Sequence, residues 1–474
     1  MEHLTTLDAG FLGAEDSDRH VSLAIGGLAI LEGPVPDYDT LASTLAERIS
    51  VCPRFAQRLQ VRPFNLGAPA WVDDTDFDIA RHIRRRALPH PGDEKELFRL
   101  VADAMSWRLD RDRPLWEIWV IEGLTDDRWA MLMKVHHCIA DGIATAHMLA
   151  GLADGGVGDS FASRIRAAKE PQSESKSGGL RPTLSVPNPI NLVSELWGTS
   201  TAVTAAAARA VRGGAELAAG LLRPAARSSL NGPITGLRRY SAARVALDDV
   251  RRICRAFDVT VNDVALAALT ESYRSILIRR GEQPLPEALR TLVPVSIRSP
   301  EALGKTDNRV SVMLPYLPVE EADRVRRLQL VHSRLTRTKS TGQRQAGSAF
   351  ISVANAVPFA LTAWAVRLLT QLPQRSVVTL ATNVPGPSEP LQIMGRRVMS
   401  VLPVPPIAMQ LRTGVAMLSY ADDLFFGILA DFDGAPEVDE LARGVERAVA
   451  GLVASTKRRR TARHRGALSL VPSA

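Results

Sequence analysis

The chain has 474 residues, 46% of them hydrophobic and 23% charged, with a net charge of +7. That balance supplies apolar material for sizeable cores, predicts two or three domains, and excludes a disordered chain. Three cysteines (Cys52, Cys138 and Cys254) are too few and too scattered for a disulfide framework or a Cys-based metal site, and fit a reducing, intracellular compartment. Six positive charges sit between Lys457 and Arg465, leaving the rest of the chain close to neutral. A nucleic-acid reader spreads its cations over a folded face, so no nucleic-acid partner is expected. The two readings of the basic segment are contact with an anionic membrane and a solvated tail.

In chain order, Met1-Glu2-His3-Leu4 lacks the basic and apolar regions of a signal peptide. Leu41, Leu45 and Ile49 recur at helical spacing, as do Leu97, Val101, Ala104 and Met105. A hairpin is predicted next, with strands over 116–124 and 129–138 around Thr125-Asp126-Asp127-Arg128. Residues 154–189 are rich in Gly, Ser, Pro and Lys and read as a linker; 192–222 are alanine-rich and helix-prone. In the second half, helices are predicted after Asp248, a candidate N-cap, and over 262–280, 322–339 and 438–457. Strands are expected at 290–298, 309–317, 376–382, 412–420 and 424–431. The run 346–366 carries no charge; its Gly, Ser, Asn and Pro residues favour a buried helix pair broken near Pro358 over a membrane span. The expected division is an N-terminal unit over 1–153, linker and connecting helix over 154–236, a C-terminal unit over 237–456 and a basic tail over 457–474. Helices and strands alternate in both units, which predicts an α/β fold.

The chemistry-bearing stretch is Val135-His136-His137-Cys138-Ile139-Ala140-Asp141-Gly142, where a strand gives way to a helix. Strand alternation puts His137 on the apolar face of Val135, Met133 and Met131, and His136 on the face of Lys134. The two rings should therefore point in opposite directions. An imidazole titrates at about 6.5, which suits a base working near neutral pH, and an apolar wall suits a dry acyl channel. Asp141 has three readings: a partner for His137, a partner for an arginine, or a helix N-cap. Gly142 allows close backbone approach to a substrate. No Walker loop, dinucleotide fingerprint or Cys/His metal cluster is present.

The His-His-x-x-x-Asp-Gly string resembles the signature of coenzyme-A-dependent acyltransferases, the superfamily of chloramphenicol acetyltransferase and peptide-synthetase condensation domains. Within it, the chain is similar to the bacterial wax ester synthase/diacylglycerol acyltransferase family, and most of all to mycobacterial triacylglycerol synthases. Further matching stretches are Leu7-Asp8-Ala9-Gly10-Phe11-Leu12, Arg113-Pro114-Leu115-Trp116-Glu117, Asn262-Asp263-Val264, Pro294-Val295-Ser296-Ile297-Arg298, Asp307-Asn308-Arg309-Val310-Ser311 and Thr382-Asn383-Val384-Pro385-Gly386-Pro387.

The resemblance implies two chloramphenicol-acetyltransferase-like subdomains with a tunnel between them. It implies His137 as general base, with His136 supporting, and direct transfer from a long-chain acyl-CoA to an acceptor hydroxyl. The acceptor is diacylglycerol or, alternatively, a fatty alcohol. It implies an Asp141–Arg298 ion pair, supporting roles for Asn262, Asp263 and Asn383, and no cofactor or metal, acyl-CoA being a substrate. Thr382 and Ser296 are candidate oxyanion donors, although such residues are more often plain strand or turn residues. Lys305 and Arg309 are candidates for the CoA phosphates. Apolar products place the expected protein on the inner face of the cell membrane or on lipid droplets. The competing reading is a non-catalytic droplet coat, which has no chemical need for His137.

Overall fold

The computed structural model describes residues 2–50, 52–61, 68–139, 151–154, 228–296, 310–340, 377–408 and 410–468. Asp141, Gly142, Arg298, Lys305, Arg309 and the side chain of Ser296 lie outside them, so the Asp141–Arg298 pair does too. Residues 155–189, the 192–222 stretch and the 346–366 run are also outside.

Helix α1 (Thr6–Ser17) starts at Thr5, whose hydroxyl accepts the Asp8 amide. Strand β1 (Ala24–Glu32) and helix α2 (Tyr38–Ser50) follow; α2 buries Leu41, Leu45 and Ile49, as its spacing predicts. Short strands β2 (Gln57–Gln60), β3 (Ala70–Asp73) and β4 (Ile83–Ala87) lead to helix α3 (Glu94–Ser106). Asp93 caps α3, which buries Leu97, Val101, Ala104 and Met105. The hairpin is β5 (Trp116–Leu124) and β6 (Arg128–His136), with Asp126 and Asp127 at φ of 61° and 50° in the turn. Strand β6 stops two residues before the expected Cys138, because the Ile139 amide turns back onto the His136 carbonyl.

The second half runs β7 (Arg238–Ala246), α4 (Leu247–Phe257), α5 (Val261–Arg279), β8 (Thr291–Ser296), β9 (Val310–Met313) and α6 (Arg324–Ser340). Then come β10 (Thr379–Val384), β11 (Gln392–Ile393), β12 (Arg396–Val404), β13 (Thr413–Tyr420), β14 (Asp423–Asp431) and α7 (Val438–Leu468). The expected cap of α4 moves. Asp248 lies inside the first turn of α4, whose N-cap is Ala246. Thr260 caps α5, and Asp263 closes the box from the third helical position. Strand β9 ends at Met313, short of the expected 317; Pro315 has no amide to continue a ladder. Helix α7 continues through the basic segment to Leu468.

Among the described residues twelve strands form two six-stranded sheets, ordered β11-β12-β1-β6-β5-β4 and β7-β14-β13-β10-β8-β9, and β2 pairs with β3 apart from them. The first takes β11 and β12 from late in the chain, and β1 lies between β12 and β6, with Ala24 opposite His136 and Gly26 opposite Val404. Each sheet anchors its own apolar core, one around Trp116 and Trp129, the other around Phe426 and α5. The sheets meet along β12: the Tyr240 hydroxyl of β7 donates to the Pro403 carbonyl at 3.0 Å. At Gly427 of β14 a Cβ would stand 1.6 Å from that same carbonyl oxygen, so the contact requires glycine.

Candidate active site

His136 ends β6 and His137 follows it. The His136 amide donates to the Leu115 carbonyl at 2.9 Å, and the His137 amide to the Leu23 carbonyl at 3.0 Å. The Arg113–Glu117 motif thus secures the first histidine and the segment before β1 secures the second. The Cys138 amide donates to His136 Nδ1 at 3.1 Å. That nitrogen is therefore the unprotonated one, and the ring's proton sits on Nε2. His136 is fully buried, whereas His137 is half-buried.

Alternation predicts rings on opposite sides, but it lapses where the strand ends. Both rings meet one face of α1, one turn apart. Phe11 packs on His137 with ring centroids 4.3 Å apart. Glu15, four residues on, brings Oε2 to 3.6 Å from His136 Nε2. The 7–12 motif therefore belongs to the site through Phe11.

Glu15 is 1% exposed, and each of its oxygens is engaged. Oε1 accepts the Leu23 amide at 3.0 Å and Oε2 accepts Arg111 at 2.9 Å. Arg111 also pairs with Asp16 at 2.7 Å. Burial alone would raise the Glu15 pKa, but the facing His136 ring, Arg111 and the Leu23 amide outweigh it and hold the carboxyl at about 2. Lys134, on β6 two residues before His136, is buried too, donating to the carbonyls of Ala104 at 2.8 Å and Trp107 at 2.6 Å. Burial lowers its pKa to about 8. The Cys138 thiol is buried and its pKa pushed well above the usual range by desolvation, with Asp8 and Glu15 adding to the rise. A thiol so held is a poor nucleophile.

The remaining expected residues occupy other places. Val135, Met133 and Met131 are fully buried in the first core. Thr382 and Asn383 lie on β10 of the second sheet, opposite Ala416 and Met417 of β13. Gly386 beyond them has no room for a Cβ, which would come to 2.1 Å from the Ser419 carbonyl oxygen. Asp263 is buried at the start of α5, where His332 of α6 meets it at 2.8 Å. Glu15 and Arg111 carried no signal in the sequence. An acid beside another acid, and one arginine among several in 108–113, read as surface charges.

Two findings define the class. The first condensation domain of the CDA synthetase superposes with a TM-score of 0.59 at 15% identity, covering 96% of this chain and 95% of its own. A wax ester synthase/diacylglycerol acyltransferase from Marinobacter aquaeolei superposes at 0.66 with 27% identity, covering 96% of this chain and all of its own. The fold is that of the CoA-dependent acyltransferases. The family model of the wax ester synthase/diacylglycerol acyltransferase catalytic domain matches residues 4–265, and that of the WS/DGAT C-terminal domain matches 306–452. A protein of Mycobacterium tuberculosis named as a probable diacylglycerol O-acyltransferase is 64% identical, over 99% of this chain and 100% of its own length. An O-acyltransferase of Acinetobacter baylyi is 28% identical, over 94% of this chain and 96% of its own length. The chain belongs to the wax ester synthase/diacylglycerol acyltransferase family and is an O-acyltransferase.

Proposed function

We propose that the chain transfers the acyl group of a long-chain acyl-CoA directly to the hydroxyl of diacylglycerol, making triacylglycerol, with His137 as general base. The observation that carries this is the half-buried His137, held by its amide and by Phe11, in an acyltransferase fold. Its Nδ1 is buried, which leaves Nε2 to meet the substrate. The acceptor hydroxyl gives its proton to Nε2 while its oxygen attacks the thioester carbonyl. The tetrahedral oxyanion collapses, the C–S bond breaks, and the CoA thiolate takes the proton back from the imidazolium. Thr382 and Ser296 are the candidate oxyanion donors. The buried Cys138 offers no competing acyl-enzyme. Acyl-CoA is a substrate, and the step calls on no cofactor or metal.

Diacylglycerol is favoured over a fatty alcohol because the 64%-identical relative bears that name. An apolar acceptor implies work at a membrane or droplet surface. No helix among the described residues is long and apolar enough to cross a membrane, so peripheral contact through the basic end of α7 is the proposed mode.

The test is CoA release from palmitoyl-CoA, with diacylglycerol or hexadecanol presented in anionic or neutral vesicles. The expected result is preference for diacylglycerol, a faster rate on anionic vesicles, and a fall of about 10²–10⁴-fold in His137→Ala. An undiminished His137→Ala rate would remove the general-base reading and revive the coat protein. Preference for hexadecanol would make the chain a wax ester synthase, and equal rates on both vesicles would end the charge-based docking.

A further inference from the structure

Glu15 is a buried carboxylate that the acyl-transfer chemistry does not itself use, and apart from the Arg111 ion pair its contacts lead to the two histidines. Three chain segments meet at it. Its Oε1 takes the Leu23 amide, and the Leu23 carbonyl takes the His137 amide, so one carboxylate oxygen stands two hydrogen bonds from the backbone of the base. Its Oε2 faces Nε2 of His136, whose Nδ1 holds the Cys138 amide on the far side of His137. Its helix carries Phe11 against the His137 ring. The base is thus fixed on both flanks of its backbone and on its ring. Arg111 compensates the buried charge. Lys134 and Asp8, both buried, are the next charged groups on the packed elements, and Lys134 lies within reach of the Glu15 charge.

We infer that Glu15 is a positioning residue for the transfer step: through Leu23 and through a neutral, Nε2-protonated His136 it sets the orientation of His137. The inference rests on His137 being the base. His136 then has a defined task without acting as a base itself. Its Nε2–H is aimed at Glu15 and its Nδ1 is occupied by Cys138.

Glu15→Gln keeps the size and one acceptor oxygen. Its amide NH₂, however, would confront both Arg111 and the His136 Nε2–H with a further donor. His136 then loses the tautomer that holds Cys138, and the base shifts. A displacement of about 1 Å at a reacting group costs on the order of 100-fold in rate. The experiment is a double-mutant cycle on the full-length protein, with kcat and KM for palmitoyl-CoA measured for wild type, Glu15→Gln, His137→Ala and the double variant. The expected result is kcat lower by about 10–100-fold in Glu15→Gln with KM within about 3-fold, and no further loss when His137 is already alanine. A purely structural role predicts the same fractional loss in both backgrounds, and that result would overturn the inference. If His137→Ala retains activity, the general-base reading falls and takes this one with it. If His137→Ala is inactive and Glu15→Gln is not impaired, only the role of Glu15 falls. Should Glu15→Gln fail to fold, Glu15→Asp keeps the charge on an arm one methylene shorter. It is expected to lose at least about 5-fold in kcat at unchanged Tm, and wild-type kcat would refute the positioning role.

Discussion

The two sheets use buried polarity differently. At the histidine end of the first, ionised groups are buried together: Glu15, the half-buried Arg111, and Lys134 beneath them. Inside the second, the core polar groups under β10 and β13 are neutral. The Tyr273 hydroxyl of α5 lies 3.0 Å from that of Thr379 and 2.7 Å from that of Thr413. One buried ion pair of the second half, Arg238–Asp431 at 3.7 Å, sits at the seam, where Arg238 also donates to the His20 carbonyl; other buried charges, Arg327 against Glu271 and Asp263 against His332, each at 2.8 Å, lie on its helices. Buried charge costs several kcal/mol to desolvate, so its placement carries information. In this molecule it gathers at the histidine end of the first sheet, at the junction of the two and on the helices of the second half, while hydroxyls suffice beneath β10 and β13.

The largest stability effect is expected from breaking the seam. Asp431→Ala removes the partner of Arg238 and the acceptor for Thr235 and Gly434. Chemical denaturation should show a loss of about 3–5 kcal/mol. A loss below about 1 kcal/mol would mean the seam is held by apolar contact alone.

Next comes acid. The Glu15 pKa is lower in the folded state, about 2 against the ordinary 4.5, so its stabilisation is present above pH 4.5 and is lost as pH falls from there towards 2. The stake is about 3 kcal/mol. Acid titration of wild type and Glu15→Gln should show curves that converge over that window; parallel curves would contradict the depressed pKa. Lys134 has the same slope in another window, although its ionised form opposes folding where that of Glu15 favours it. Its folded pKa of about 8 lies below the ordinary 10.5, so its contribution rises with pH between those values.

The smallest effect belongs to the neutral network. Tyr273→Phe leaves Thr379 and Thr413 bonded to each other and should cost about 1–2 kcal/mol with activity retained. A large loss of activity would show that the second core reaches the reacting groups.

Much of this was legible in the sequence, for local reasons. The buried faces of α2 and α3 follow helical periodicity, and the hairpin follows strand formers around an Asp-Asp turn. The double-histidine string picked out the proposed base. What escaped depends on distant partners. Glu15 reads as a surface acid until Leu23, Arg111 and His136 surround it. Lys134 falls among apolar neighbours by alternation, yet its burial depends on the carbonyl end of α3. The opposed-histidine argument failed because its period outran the strand by one residue. The placement of β12 beside β1 has no local signature, since pairing across more than 300 residues of sequence is written only in two separate apolar strands.

That pairing also dictates an order of events during synthesis. Strand β1, with Leu28, Ala29 and Ile30 all buried in the finished protein, is translated early, and the strand that completes its edge comes at 396–404. At about 5–20 residues per second the interval is on the order of tens of seconds. Throughout it, one side of the sheet that bears the histidines is an open apolar edge of the kind that recruits other chains. The enzyme's first half is therefore the part that depends on being shielded while the second is made.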